Sequence, residues 1–414
     1  MKRMMMMAMM AAATMTAFAQ ADVVKNAKKL LDKGDVEEAI KAVQPALNAG
    51  TNEEKASAWN LLSTAYYQTF ADIQAKKIEN QVKQTNVPVD EPTMHASIVS
   101  AFEAALKCDE YDNMPNEKGK VKPKYRAESQ KIYQNGRLQC INAGQYEYNQ
   151  KNYPAAFKAF ALYVESGDAP LFTGIDMSQD QFKTEVAYFA SLAAYQSKDY
   201  PNVIKFAQIA AQDESKAKDA TEILVFSKRE TMKTHQDTLE YIDMLKDASA
   251  KFPQDQRYSA WIGDYYLNSG NNEELLKWAE GEIAKNPDDK FGYTYKGEAL
   301  RLSGKFDEAV ECYKKAFEID PTYIAAAYQA GVSLNSKAIG LKDQLADKKT
   351  GMLTKANADK IKVILTDAKT YLEKVRELDP NHETVDWRYA LYQMYYSLGE
   401  SDKASEIEAL LGNN

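Results

Sequence analysis

Histidine is nearly missing from this 414-residue sequence, with three copies, His95, His235 and His382. That scarcity, and their wide separation, leaves imidazole-based acid–base or metal chemistry few candidates. No H-E-x-x-H, C-x-x-C, phosphate-loop glycine run or G-x-S-x-G occurs, so the usual motifs of zinc proteases, dithiols, nucleotide binders and serine hydrolases are lacking. Cysteine is also scarce: Cys108, Cys140 and Cys312 are an odd number, too few for a disulfide framework. Each sits within or at the end of a helical pattern, which points to buried thiols, with a Cys108–Cys140 bridge as the alternative. Basic residues number 52 against 60 acidic ones, a net charge of −8. A nucleic-acid partner held by a general basic footprint is therefore not expected. With 45% hydrophobic and 27% charged residues, the chain is neither mainly disordered nor a multi-span membrane protein.

Two residue types are plentiful, Met with 15 copies and Tyr with 26. Eight of the Met lie in the first 15 residues, MKRMMMMAMMAAATM. Lys2-Arg3, an apolar stretch from Met4 to about Met15 and Ala17-Phe18-Ala19 form a basic, an apolar and a cleavage region. The pattern predicts a signal peptide over 1–19, cut after Ala19, with no Cys there to carry a lipid. The apolar stretch is short for a bilayer span. The expected compartment is the periplasm of a Gram-negative bacterium, and loss of Lys2 and Arg3 takes the formal charge to −10.

Beyond residue 20 the sequence is periodic. Pro253, Pro287 and Pro321 are evenly spaced, and the same interval separates Gly263, Gly297 and Gly331, and again Gly270 and Gly304. The clearest unit is KFGYTYKGEALRLSGKFDEAVECYKKAFEIDP, Lys290 to Pro321. Tyr293 holds a large first position, Gly297 the close approach and Gly304 the turn. Phe306 is expected to anchor the start of the second helix, Ala309, Tyr313 and Ala316 form its seam, and Pro321 ends it. Trp59, Leu62, Ser63 and Tyr66 open another unit; Gly34 and Ala39 mark a first, with Asp35 and Glu38 as a capping box. Leu391, Tyr395, Gly399 and Ala404 mark a last. QKNYPAAFKAF and SKDYPNVIKFA share a motif that puts Pro154 and Pro201 in the first turn of a helix.

These residues resemble the tetratricopeptide repeat (TPR) family, whose period of about 34 residues is the interval of the proline and glycine ladders. The resemblance implies an all-α solenoid, a right-handed superhelix of about nine helix pairs over 20–414, best defined over 254–335. Two repeats, over about 68–108 and 335–378, exceed that period by roughly 25 residues each. Their helical composition predicts lengthened helix pairs, two prongs charged all round at their tips. Such extended repeats resemble those of exported TPR proteins of Bacteroidota.

Carboxylates are plentiful, but each reads as a helix-surface charge, so no enzyme, cofactor or metal is expected. The resemblance implies instead a concave surface, lined by the first helix of each pair, that binds a protein or peptide. Tyr67, Tyr148, Tyr195 and Tyr396 occupy a late inner position on those helices, and Tyr188, Tyr328 and Tyr389 an earlier one. Tyrosine suits a contact because it is large, stiff and polar at its tip. Tyr66, Tyr266 and Tyr395 are expected in the core. The Lys and Asn clamp by which some TPR domains hold a chaperone tail is lacking, its places taken by Arg257, Trp261, Asp264, Phe291 and Glu298. The loop KGKVKPKYR carries Lys118, Lys120, Lys122, Lys124 and Arg126 within nine residues, a solvated connector or a contact with an anionic envelope surface. The expected function is an exported, non-catalytic scaffold; the alternatives are a glycan-binding component of a nutrient-capture or envelope system, an enzyme with an unrecognised site, and self-assembly through the prongs.

Overall fold

The computed structural model describes residues 21–177 and 180–412, with Asn135 by its backbone alone. The predicted export segment over 1–19, with its cleavage site, lies outside the described residues. Every regular element among the described residues is helical. They fall into two compact units that divide between Tyr241 and Ile242.

In the first unit α1 covers 21–32, followed by α2 (Val36–Val43), α3 (Asn52–Lys83), α4 (Glu91–Asp112), α5 (Arg126–Asn149), α6 (Tyr153–Ser166), α7 (Lys183–Gln196), α8 (Tyr200–Ala210) and α9 (Ala217–Thr231). Helix α10 (His235–Lys251) contains the division. The second unit continues with α11 (Arg257–Asn268), α12 (Asn272–Lys285), α13 (Lys290–Leu302), α14 (Phe306–Ile319), α15 (Ile324–Leu345), α16 (Lys355–Leu378), α17 (Arg388–Leu398) and α18 (Ser401–Leu411). From α2 to α9 and from α11 to α18, each helix packs on the next, the arrangement of an α-solenoid.

Small residues on the first helix of a pair let the second come close. A Cβ on Gly297 would stand 2.6 Å from the Tyr313 ring, and one on Gly144 would stand 2.5 Å from that of Phe160. In both cases the large residue follows 16 positions after the glycine. At Gly263 that partner is the small Ala279, and the ring of Tyr295 from the next pair fills the place, 2.4 Å from where a Cβ would lie. In α3, Ser63 takes the glycine's role and stays buried because its hydroxyl donates to the Ala101 carbonyl at 2.8 Å and meets the Tyr133 hydroxyl at 2.7 Å. Tight turns close the pairs: after α13, Gly304 adopts φ +78°, and the amides of Gly304 and Lys305 reach back to the carbonyls of Arg301 and Leu300.

Several local expectations change. Asp35 caps no amide of α2, and Glu38 does not reach back: the Asp35 amide already bonds the Leu30 carbonyl at 3.0 Å, and Glu38 pairs with Lys41 at 3.1 Å. A capping box does form at Thr51 and Glu54, whose side chains accept from each other's backbone amides at 3.2 and 2.8 Å. Phe306 starts α14 but is 39% exposed, so it opens that helix without anchoring it. Cys108, Cys140 and Cys312 are free thiols, and no Cys108–Cys140 bridge forms. Burial pushes the thiol of Cys140 up to about 12 and that of Cys108 higher, which keeps both protonated and inert.

The period breaks at two long antiparallel helix pairs, α3 against α4 and α15 against α16. Their ends are not charged all round. Ile78, Val82 and Val87 are exposed on the first, and Ile339, Met352 and Val363 on the second.

Candidate functional site

Helix α17 carries tyrosines at 389, 392 and 396, spaced i, i+3 and i+7, which puts them on one face. Its C-terminal end is fixed by Gly399, φ +74°, whose amide bonds the carbonyl of Tyr396 at 3.1 Å. Met394 and Tyr395 point the other way into the core with Leu391 and Trp387. The Tyr395 hydroxyl donates to Glu373 on α16 at 2.9 Å, which locks the rotation of α17. Tyr389 and Tyr396 are left 61% and 72% exposed. The rings of Tyr392 and Tyr396 stack with centroids 6.1 Å apart.

This tyrosine face looks across at the second prong and closes a groove of about 740 Å³. Ile339, Leu353, Ile361 and Leu365 supply its apolar wall, and Asn335 and Gln393 bridge its base at 3.2 Å. Two of the seven predicted tyrosines, Tyr389 and Tyr396, thus meet in one cavity. Tyr392 and the prong residues were missed. The i, i+3, i+7 spacing signals Tyr392, whereas the prong wall requires the geometry of the long pair.

The other five tyrosines are spread. In the first unit, Tyr67, Tyr148 and Tyr188 are half-buried against one core cluster. Tyr67 meets the edge of Tyr133 at 6.2 Å, and Tyr148 that of Tyr153 at 5.3 Å. Lys216 stands over the Tyr188 ring at 5.7 Å. Burial raises the phenol pKa of Tyr148, Tyr188 and, in the second unit, Tyr328. Tyr195 is 41% exposed beside Tyr200. Tyr328 packs half-buried on the cluster around Trp387 and is not among the groove's lining residues.

The basic loop divides into two chemistries. Arg126 is bonded to the buried Asp109 through Nε at 2.7 Å and Nη2 at 2.8 Å, a structural pair that holds α5 to α4. The amides of Lys124 and Tyr125 donate to Asp112 at 2.7 and 2.8 Å. Lys118, Lys120 and Lys122 are exposed at a cavity of about 930 Å³, but Glu53 and Glu54 line it too. The five charges therefore do not act as one patch.

Residues 291–323 match the tetratricopeptide repeat family. That segment is a tetratricopeptide repeat. Among curated proteins, the chain is 25% identical over 139 residues to the antiviral innate immune response effector IFIT1 of Homo sapiens. The match covers 34% of this chain and spans only 28% of that relative. Among solved structures, the C-terminal part of a TPR repeat-containing protein from Cytophaga hutchinsonii is 16% identical, with a TM-score of 0.40 over 66% of this chain and 96% of that one. A TPR repeats protein from Bacteroides fragilis is 18% identical, with a TM-score of 0.33 over 66% of this chain and 98% of that one.

Tetratricopeptide repeats build protein-interaction scaffolds, and three charged groups on α11 and α13, where some such domains clamp a ligand, are occupied. Glu298 is buried, accepting from the Tyr313 hydroxyl at 2.9 Å and from Arg301 at 2.7 Å. Asp264 accepts from the Tyr295 hydroxyl at 2.7 Å, and Arg257 pairs with Asp255 at 2.7 Å. These three groups are held by the chain's own side chains. No group of His, Cys, Asp and Glu among the described residues could hold a metal ion.

Proposed function

We propose that this TPR protein is an exported, non-catalytic scaffold that captures a segment of a protein partner in the groove between the second prong and α17. The observation that carries this reading is the exposure of Tyr389 and Tyr396, 61% and 72%, on the wall of an apolar groove. Large aromatic surface held open on a stiff helix is the kind of anchor on which binding energy concentrates. The walls belong to helices packed into one core, so a partner docks without first ordering the site. Lys2-Arg3, the apolar stretch behind them and Ala17-Phe18-Ala19 support export to the periplasm.

A photo-cross-linking phenylalanine analogue at position 396, in intact cells, tests this. The expected result is a discrete, protease-sensitive adduct in the periplasmic fraction that disappears with Tyr389→Ala. A glycosidase-sensitive adduct would favour the glycan reading, and the absence of any adduct would overturn both. Edman sequencing of the mature chain should begin at Gln20 if export follows the predicted cut.

A further inference from the structure

The groove's charged residues are all of one sign. Its rim carries Lys342 from α15 and Lys362 from α16, and no carboxylate lines it. Both lysines are exposed, and neither has an ion-pair partner among the described residues. Asp343 and Asp359 lie near them in sequence, yet neither is among the lining residues.

A second cavity on the same prong, which shares Lys362 with the groove, mixes its charges. Its volume of about 820 Å³ is lined by Asp307, Glu311, Asp359 and Asp367 together with Lys314, Lys337 and Lys362. Two of those lysines are already neutralised, Lys314 by Asp367 at 3.0 Å and Lys337 by Asp307 at 2.8 Å. The cavity at the basic loop likewise mixes Lys118, Lys120 and Lys122 with Glu53 and Glu54. On a chain of net charge −8, an apolar groove lined by two lysines and no carboxylate differs from both, with Lys362 shared between it and the mixed cavity and Lys342 its own.

Resting on the proposed peptide-binding reading, we infer that the groove selects an acidic segment. Its occupant has aliphatic or aromatic anchors that pack between Tyr389, Tyr396 and Ile339, flanked by carboxylates that meet Lys342 and Lys362. The apolar part supplies most of the affinity, while the lysines set register and reject basic segments. Like charges at a desolvated rim are costly, and opposite charges steer the encounter. The rest of the surface, acidic on balance, repels such a segment and so favours this one position.

Selection of a phage-displayed library of random dodecapeptides on the full exported chain tests the inference. A Tyr396→Ala variant is used to discard sequences bound elsewhere. The surviving peptides are expected to pair Asp or Glu with Leu, Phe or Trp. The Lys342→Glu/Lys362→Glu variant should bind a synthetic survivor roughly tenfold more weakly, and 0.5 M salt should weaken wild-type binding in the same direction. Both lysines are exposed, so that variant keeps its fold, checked by its circular dichroism spectrum. Survivors without acidic enrichment, or affinity untouched by the charge reversal, would overturn the acidic preference and leave the peptide reading standing. Failure to recover any peptide that depends on Tyr396 would overturn both.

Discussion

Gly331 on α15 and Leu372 on α16 are in register across the second prong: a Cβ on the glycine would lie 2.7 Å from Leu372 Cγ. They stand 41 positions apart, whereas Gly297 and Tyr313 make the same contact 16 positions apart. The prong therefore lengthens the repeat without shifting the seam beneath it.

That contact predicts opposite outcomes for two glycines of one helix. Gly331→Ala gains helix propensity but drives a methyl into Leu372 and toward the Ala368 carbonyl, 3.2 Å away. The net expected effect is a loss of about 1–2 kcal/mol, overpacking outweighing propensity. Gly340→Ala meets nothing within 4 Å. It should stabilise the chain by about 0.5–1 kcal/mol. Urea unfolding of the two variants checks the pair, and equal signs would show that the seam is looser than drawn.

The retained register also predicts that the prong can be removed. Deleting 340–364 gives Leu372 the same spacing from Gly331 that Tyr313 has from Gly297, and Ala338 then stands where Gly304 stands in the preceding repeat. With Ala338→Gly to supply the left-handed turn, the shortened chain should fold with a cooperative transition. It should also lose groove binding completely, since Lys342, Leu353 and Ile361 leave with the hairpin. A molten product, lacking near-ultraviolet circular dichroism, would mean that the prong is needed for folding.

Much of this architecture was legible because one spacing repeats. The glycines at 263, 297 and 331 mark close approaches, and any reader of the sequence can count between them. Leu372 was harder, since an insertion hides its equivalence to Tyr313 until the helices are seen side by side. The groove was half legible for the same reason. Tyr389 and Tyr396 follow from helical periodicity, but Ile339, Lys342 and Lys362 face them only because α15 and α16 run past the normal turn. Competing partners account for the other departures. The Asp35 amide bonds Leu30 while Glu38 pairs with Lys41, and Arg126 chose the buried Asp109 over solvent.

Turns of the same shape carry glycine in some repeats and lysine in others. Lys151 and Lys198 sit at φ 61° and 57°, with amides bonded to the carbonyls of Tyr148 and Tyr195 as Gly304 is to Arg301. A left-handed conformation costs a side chain about 1–2 kcal/mol that glycine escapes. Lys151→Gly and Lys198→Gly should therefore each stabilise the protein by about 0.5–1 kcal/mol, after the larger entropy loss of glycine on folding. Thermal melts of the single and double variants read this directly, and the two effects should add because the turns share no partner.

Within the basic loop the substitutions should separate by role. Removing the guanidinium in Arg126→Leu leaves Asp109, 4% exposed at its side chain, without its bidentate partner. A loss of about 3 kcal/mol is expected. Lys118→Ala, Lys120→Ala and Lys122→Ala remove exposed charges and should each stay within about 0.5 kcal/mol of wild type. Chemical denaturation of the four variants would distinguish a structural arginine beside three free lysines from a single cationic patch, which predicts four similar values.

Acid sensitivity should trace to the pair that ties α13 to the turn after α14. Lys290 Nζ lies 2.6 Å from Asp320 Oδ2, and Thr322 adds its hydroxyl at 2.6 Å and its amide at 2.9 Å to Oδ1. Together they lower the Asp320 carboxyl to about 2. A depressed carboxyl stabilises the fold above its unfolded pKa of about 3.9, and that contribution disappears as the pH falls through the folded value. The full shift would be worth about 2 kcal/mol, but both side chains are about a quarter exposed, 23% for Lys290 and 27% for Asp320, so about 1 kcal/mol survives screening. Asp320→Asn should therefore be less stable than wild type by about that amount at pH 7. The gap should shrink between pH 4 and pH 2, because the wild-type carboxyl is then being protonated as well. Urea midpoints of both proteins at the three pH values check the sign, and a gap that stays constant down to pH 2 would show that Asp320 acts through its hydrogen bonds to Thr322 alone.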